Sequence, residues 1–252
     1  MSISEKLTTI AENEQKVYEA GRTKEWSDFW DGFQQNGERT SYQYAFSNAW
    51  DSKAFKPKHD IKPKDASCMF QNSKLTGDLR NILKECNVVL DTSEATYMQN
   101  AFNNAWSITH LPEISLESAN AYSSRTEGTF MGCYALQHID KVVLSIEKHQ
   151  PMTNTFQSCK ALTHLRISGP KNKEDEKVIG ENFNVSWCPL DTDSVLSILT
   201  HLKDYSGDTT GGTYILSLSD TSKTAMAELG AIAELNNKTY TEYLADIGWS
   251  LA

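Results

Sequence analysis

The stretch Gly128-Thr-Phe-Met-Gly-Cys-Tyr-Ala-Leu-Gln-His-Ile139 is followed after a short interval by a near copy, Asn154-Thr-Phe-Gln-Ser-Cys-Lys-Ala-Leu-Thr-His-Leu165. Both read Phe-x-x-Cys-x-x-Leu-x-x-(Ile/Leu). A pattern that recurs within one chain marks a structural unit. A unit of this size cannot bury its own apolar face, so each copy must pack on the next.

The phenylalanine of this pattern anchors a longer series: Phe46, Phe70, Phe102, Phe130, Phe156 and Phe183, at intervals of 24, 32, 28, 26 and 27 residues. Three residues after each anchor stands a small side chain: Ala49, Ser73, Ala105, Cys133, Cys159 or Ser186. Apolar residues follow at five or six (Leu75, Ile108, Leu136, Leu162) and at nine (Leu111, Ile139, Leu165). Such a period with short Leu-x-x-(Leu/Ile) segments predicts an α/β fold, a leucine-rich repeat solenoid of short parallel strands and irregular coils. The anchors belong inside, the small residues where the backbone turns inward, and the Leu-x-x-(Leu/Ile) pieces in strands paired copy to copy.

Residues 1–37 read as an N-terminal helical segment, with Ile3, Leu7, Ile10 and Val17 on one stripe and Trp26, Phe29, Trp30 and Phe33 on another. Two readings fit it: a cap on the main core, or a short coiled coil joining several copies. The solenoid then occupies 38–252, with helix-containing C-terminal repeats at 190–252. Asp78 to Cys86 predicts a helix and Val88 to Leu90 a strand. The charged run Gly169 to Lys177 predicts an exposed loop. Asp191 sets up a helix carrying Val195, Ile198, Leu199 and Leu202. Tyr214–Leu218 reads as a strand. A helix near 222–236 should turn Ala225, Met226, Leu229, Ile232 and Ala233 inward, and Ile247–Leu251 reads as a last strand.

Net charge is −9, which argues against nucleic-acid binding through a broad basic face. The polar start Met-Ser-Ile-Ser-Glu-Lys-Leu predicts no secretory signal, and no apolar run reaches bilayer-spanning length. Membrane insertion is not expected, and a place on a cell surface or virion would require another route. The five cysteines are odd in number and include no Cys-x-x-Cys, so they read as buried free thiols, not disulfides or zinc ligands.

At Phe130–Ile139 and Phe156–Leu165 the chain resembles the BspA-type leucine-rich repeats of bacterial surface proteins, over residues 40–190. With Lys16–Gly21 and Phe29–Asp31 ahead of the repeats, the layout also looks like leucine-rich proteins encoded by phages and prophages of gut Firmicutes. The resemblance implies a binding or structural role and brings no catalytic residue with it. A non-catalytic module contacting a protein or a cell-surface glycan is expected, and homo-oligomerisation through the N-terminal helix would suit it. The alternative is a structural or host-contacting component of a phage particle. An enzyme would need a site with none of the familiar motifs; no cofactor is implied.

One set of polar residues keeps the repeat phase. His110, His138 and His164 each stand eight residues after an anchor. In register they would occupy adjacent strands about 4.8 Å apart. Each precedes an inward Leu or Ile, which turns the imidazole outward. Asp140 and Arg166 flank the row. Two readings apply: a polar position inherited by copying, or a ligand-facing, pH-sensitive strip. Imidazoles on a flat sheet diverge, so no metal site is expected. The aromatics Tyr42, Tyr44, Trp50, Phe55, Tyr97, Trp106, Tyr122 and Tyr134 lie near the anchors, and the sequence does not divide them between core and surface.

Overall fold

A computed structural model describes residues 41–47, 55–119, 123–145, 152, 154–209 and 212–252. The expected N-terminal helices, and with them Ala49, Trp50 and Tyr122, lie outside the described residues.

The column of anchors organises the core. Phe46, Phe70, Phe102, Phe130, Phe156 and Phe183 are all buried. Successive rings lie 4.8, 5.1, 5.8, 5.3 and 5.9 Å apart, nearly parallel for the three pairs from Phe70 to Phe156. Burying one such ring is worth roughly 1.5–3 kcal/mol, and a ring pair about 0.5–1.5 kcal/mol more. The backbone fixes the spacing. Each anchor from Phe46 to Phe130 donates its N–H to the carbonyl of the residue just before the next anchor: Met69, Ala101, Thr129 and Thr155, at 2.7, 2.6, 2.8 and 2.9 Å.

The turns around the anchors hold two columns of left-handed residues. Two before the anchor stand Tyr44, Cys68, Asn100 and Gly128; two after it stand Asn72, Asn104, Gly132 and Ser158, all with φ between +54° and +75°. Asn and Gly dominate because they adopt this conformation at least cost. At Gly132 space also matters, since an added Cβ would lie 2.1 Å from Asn104 Oδ1.

Inside the turn the expected thiols appear. Cys133 and Cys159 are buried, and each Sγ–H donates at 3.0 Å to the carbonyl of the preceding copy's anchor, Phe102 and Phe130. The last copy departs from expectation: Ser186 is exposed, and Cys188, five residues after Phe183, takes the inward place and reaches the Phe156 carbonyl at 3.7 Å. Two extra residues of strand after Phe183 cause the shift.

The fold is mixed α/β with parallel-strand sheets and a curled half-barrel sheet. Strands β1 (Thr76–Asp78), β2 (Ser107–Leu111), β3 (Ile114–Ser115), β4 (His138–Val143) and β5 (His164–Ser168) form one sheet. Here β4 pairs with β2 and then β3 along one edge and with β5 along the other. Strands β6 (Phe183–Val185), β7 (Tyr214–Leu218) and β8 (Trp249–Leu251) form a second. All these pairings are parallel. Helix α1 (Leu79–Cys86) follows β1, and a short helical turn, α2 (Ser123–Thr126), precedes Phe130. In the C-terminal part lie α3 (Thr192–Thr200), α4 (Asp220–Leu229) and α5 (Tyr240–Asp246).

Several expectations need correction. The strands of the two clearest copies start at His138 and His164, so Leu136 and Leu162 sit in the preceding turns, although Leu111, Ile139 and Leu165 do align. Among the described residues Val88–Leu90 makes one bridge, Leu90 to Ile61. The helix expected near 222–236 ends at Leu229, where Gly230 takes φ +64° and breaks it, leaving Leu229 and Ala233 exposed. Helix α5 was not anticipated, yet Thr239 and Glu242 form a full capping box for it.

The left-handed column yields a test. Gly132→Ala should cost at least about 1–2 kcal/mol, through its left-handed backbone and the clash with Asn104 together. Gly207→Ala, which meets open space, should stay within about 0.5 kcal/mol of the parent. Urea unfolding of both variants measures the difference; equal effects would remove the special requirement for glycine at position 132.

Candidate functional site

The strand register brings the three histidines together. His110 pairs with His138, and His138 with His164. The imidazoles stack, with centroids 5.6 Å apart for the first pair and 4.2 Å for the second. All three are half-buried.

The row does not end with histidine. Asp78 pairs in register with His110, and Asp191 accepts a hydrogen bond from His164 Nδ1 at 3.2 Å. Both aspartates stand eight residues after an anchor, Phe70 and Phe183. The repeat position therefore reads Asp, His, His, His, Asp across five copies. Counting eight from every anchor would have found the two ends.

Each end has a local cause. Asp78 caps α1, accepting from the Arg80 backbone N–H at 2.9 Å, and Asp191 caps α3, accepting from the Ser194 N–H at 2.8 Å. Asp78 also pairs with the Arg80 guanidinium at 2.7 Å, and Arg80 Nη1 reaches Asp140 at 2.6 Å. Asp140 in turn meets His138 Nε2 at 3.0 Å. Arg80, which no repeat position marks, thus ties the first end of the row to its centre.

A bulge positions Asp140. Ile139 and Val142 pair with Leu165 and Ile167, so Asp140 and Lys141 together oppose Arg166 alone. Such an extra residue re-aims side chains. Asp140 joins the row, whereas Lys141 meets Glu113 at 2.8 Å and Glu174 at 3.3 Å. Arg166 does not join the cluster as expected: it is exposed and makes no ion pair with the described residues.

Every imidazole is held by one ring nitrogen: His110 Nδ1 by the Thr109 hydroxyl at 2.9 Å, His138 Nε2 by Asp140 and His164 Nδ1 by Asp191. The other nitrogen of each has no hydrogen-bond partner among the described residues. These can donate, accept or take up a proton. Among the described residues no group of three or more His, Cys, Asp or Glu is arranged to hold a metal ion.

The electrostatics follow from the contacts. Burial, His164 and Arg80 lower the His138 value below the ordinary imidazole one, against the pull of Asp140. Arg80 holds Asp78 below the usual carboxylate range. Burial pushes Asp191 up, but the hydrogen bonds from Ser194 and His164 outweigh it and lower its value.

Elsewhere, a cavity of about 520 Å³ is lined by Asp91, Glu113, Ser115, Lys141 and Glu174 among others, and shares no residue with the row. Its Lys141 is already neutralised by the two glutamates. Of the aromatics, Tyr42 and Phe55 are buried, whereas Tyr44, Tyr97, Trp106 and Tyr134 are 41–53% exposed. Trp106 and Tyr134 each stand four residues before the histidine of their own copy, so within about 14 Å of it along the chain. Among the described residues no helix is long and apolar enough to cross a membrane.

No family model, curated protein or solved structure matches this chain.

The lowered His138 value has a signed consequence. Unfolded, His138 returns to an ordinary value near ~6.5, so the unfolded chain binds more protons as pH falls through that point. Its contribution to stability is therefore lost on acidification. Between about pH 7.5 and pH 5.5 the parent should lose stability relative to His138→Gln, measured by urea unfolding at each pH. A pH-independent gap between the two proteins would contradict the assignment.

Proposed function

We propose that this chain is a BspA-type leucine-rich repeat solenoid acting as a non-catalytic binding module, and that the histidine row is the centre of its contact face. The partner is a protein or a cell-surface glycan. The solenoid reading is supported by the anchors, which recur at the repeat interval and stack ring on ring, and by parallel strands that pair copy to copy.

The observation that carries the binding role is the row of three stacked, half-buried imidazoles on neighbouring strands, each with one ring nitrogen unpartnered among the described residues. Other repeated positions, the anchors and the residues nine beyond them, are interior and serve packing. The row keeps the repeat phase and reaches solvent, as does the exposed position four residues after the anchors that holds Trp106, Tyr134 and Trp187. The exposed rings of Trp106 and Tyr134 supply the rigid amphipathic area that recognition surfaces favour.

A panel of bacterial and host glycans and surface proteins tests the role. Trp106→Ala with Tyr134→Ala should weaken the best binder at least about tenfold, which is about 1.4 kcal/mol. Stability should change little, because both side chains are exposed. Turnover of any panel member, or binding indifferent to both changes, would defeat the proposal.

A further inference from the structure

Four residues after each anchor from Phe70 to Phe183 stands an exposed side chain: Lys74, Trp106, Tyr134, Lys160 and Trp187. In the first four of these copies the residue just before it is buried (Ser73, Ala105, Cys133 and Cys159), so the chain turns outward at an equivalent point. Trp187 stands apart, because its copy turns inward at Cys188.

Backbone bonds hold this column from both flanks. On the anchor side Asn72, Asn104 and Gly132 donate their N–H groups to the carbonyls of Asn103, Met131 and Gln157, each at 2.8 Å. On the strand side Thr76 pairs with Ser107, and Gln137 and Thr163 donate to the carbonyls of Thr109 and Gln137 at 2.8 and 3.1 Å. Lys74, Trp106, Tyr134 and Lys160 therefore follow one another on successive coils, two aromatics between two lysines.

The column lies in a strip without carboxylates. The seven residues after each of these five anchors, 71–77, 103–109, 131–137, 157–163 and 184–190, include no Asp or Glu, in a chain that has 33 of them and a net charge of −9. (The Phe46 copy has Asp51 there, outside the described residues.) Lys74 and Lys160 are the charged side chains of the strip, and neither makes an ion pair with the described residues. Beyond it, Asp78 is held by Arg80, and Asp191 by the start of α3 and His164.

This charge pattern suits an anionic partner. Two lysines are too few for nucleic acid, whose phosphates demand clustered cations. A protein interface wants a desolvated apolar centre, yet the strip exposes no large aliphatic side chain; those of Val89 and Leu229 lie elsewhere. It presents amides and hydroxyls instead: Gln71, Gln137 and Gln157 reach solvent, and Thr76, Ser107 and Thr163 are exposed. Such groups match sugar hydroxyls, and Trp and Tyr join an apolar ring to a polar tip.

We propose that Lys74, Trp106, Tyr134 and Lys160 form a binding strip for an anionic glycan laid across the coils, with its carboxylates or phosphates at the two lysines. This rests on the reading of the chain as a binding module.

The probes are a hyaluronan octasaccharide, an oligogalacturonate and phosphomannan, which separate carboxylated from phosphorylated glycans. The carboxyl-reduced hyaluronan is the uncharged control and poly-glutamate the anion without sugar rings. Titration calorimetry at about 0.05 M and about 0.5 M salt spans strong and weak screening. At least one anionic glycan should bind, at least fivefold tighter at low salt. Lys74→Glu/Lys160→Glu should abolish that binding, whereas Lys171→Glu/Lys173→Glu, the same charge change in an exposed loop, should alter it less than twofold; circular dichroism checks that both variants remain folded. Equal weakening by the two pairs, equal binding of the reduced glycan, preference for poly-glutamate or no binding of all three anionic glycans would overturn the proposal. Binding of a neutral glycan or a protein that needs Trp106 and Tyr134 but not the lysines would overturn it too, while leaving the binding-module reading in place. If nothing in the wider panel binds either, both fall.

Discussion

The hydrogen bond from each anchor's N–H to the carbonyl just before the next anchor is the constraint from which the rest follows. It sets neighbouring copies one strand spacing apart at the turn, and the phenylalanine rings stack at that spacing because the backbone holds them there. Once the turns are in phase, residues at equal distances downstream meet. Eight residues on, the phase still holds, although the chain has passed through irregular turns and a bulge lies just beyond. The alignment of His110, His138 and His164 is thus a consequence of the interior column.

That dependence explains what the sequence made legible. Positions filled by one residue type in successive copies, such as Phe at the anchor and His at eight, announce the period directly. Positions filled by several types for one physical reason do not. The left-handed columns hold Tyr, Cys, Asn, Gly and Ser, united only by backbone conformation. The inward thiol of the last copy slid from three to five residues, because Phe183 there belongs to a strand. Exposure divided the aromatics in a way that composition could not, burying Tyr42 and exposing Tyr44 two residues later.

Asp78 and Asp191 are helix starts, as their sequence context predicts. Their second role is masked in the sequence by the change of residue type from His to Asp at the eighth position. Arg80 escaped for a different reason. It enters the site through a contact with Asp140, sixty residues away along the chain, and no spacing rule reaches that far.

The identity of the two ends is itself physical. After His110 and after His138 the chain stays extended, so nothing constrains that position beyond a tolerance for polarity. After Asp78 and Asp191 a helix begins, and its first N–H groups need an acceptor that imidazole provides poorly. The helix ends also carry partial positive charge, which favours a carboxylate. The histidine run therefore stops where helices start, and each end receives a fixed anion held by its cap. In the middle of the row, where His138 sits between two imidazoles and an arginine-bound carboxylate, burial, His164 and Arg80 together disfavour the charged imidazole.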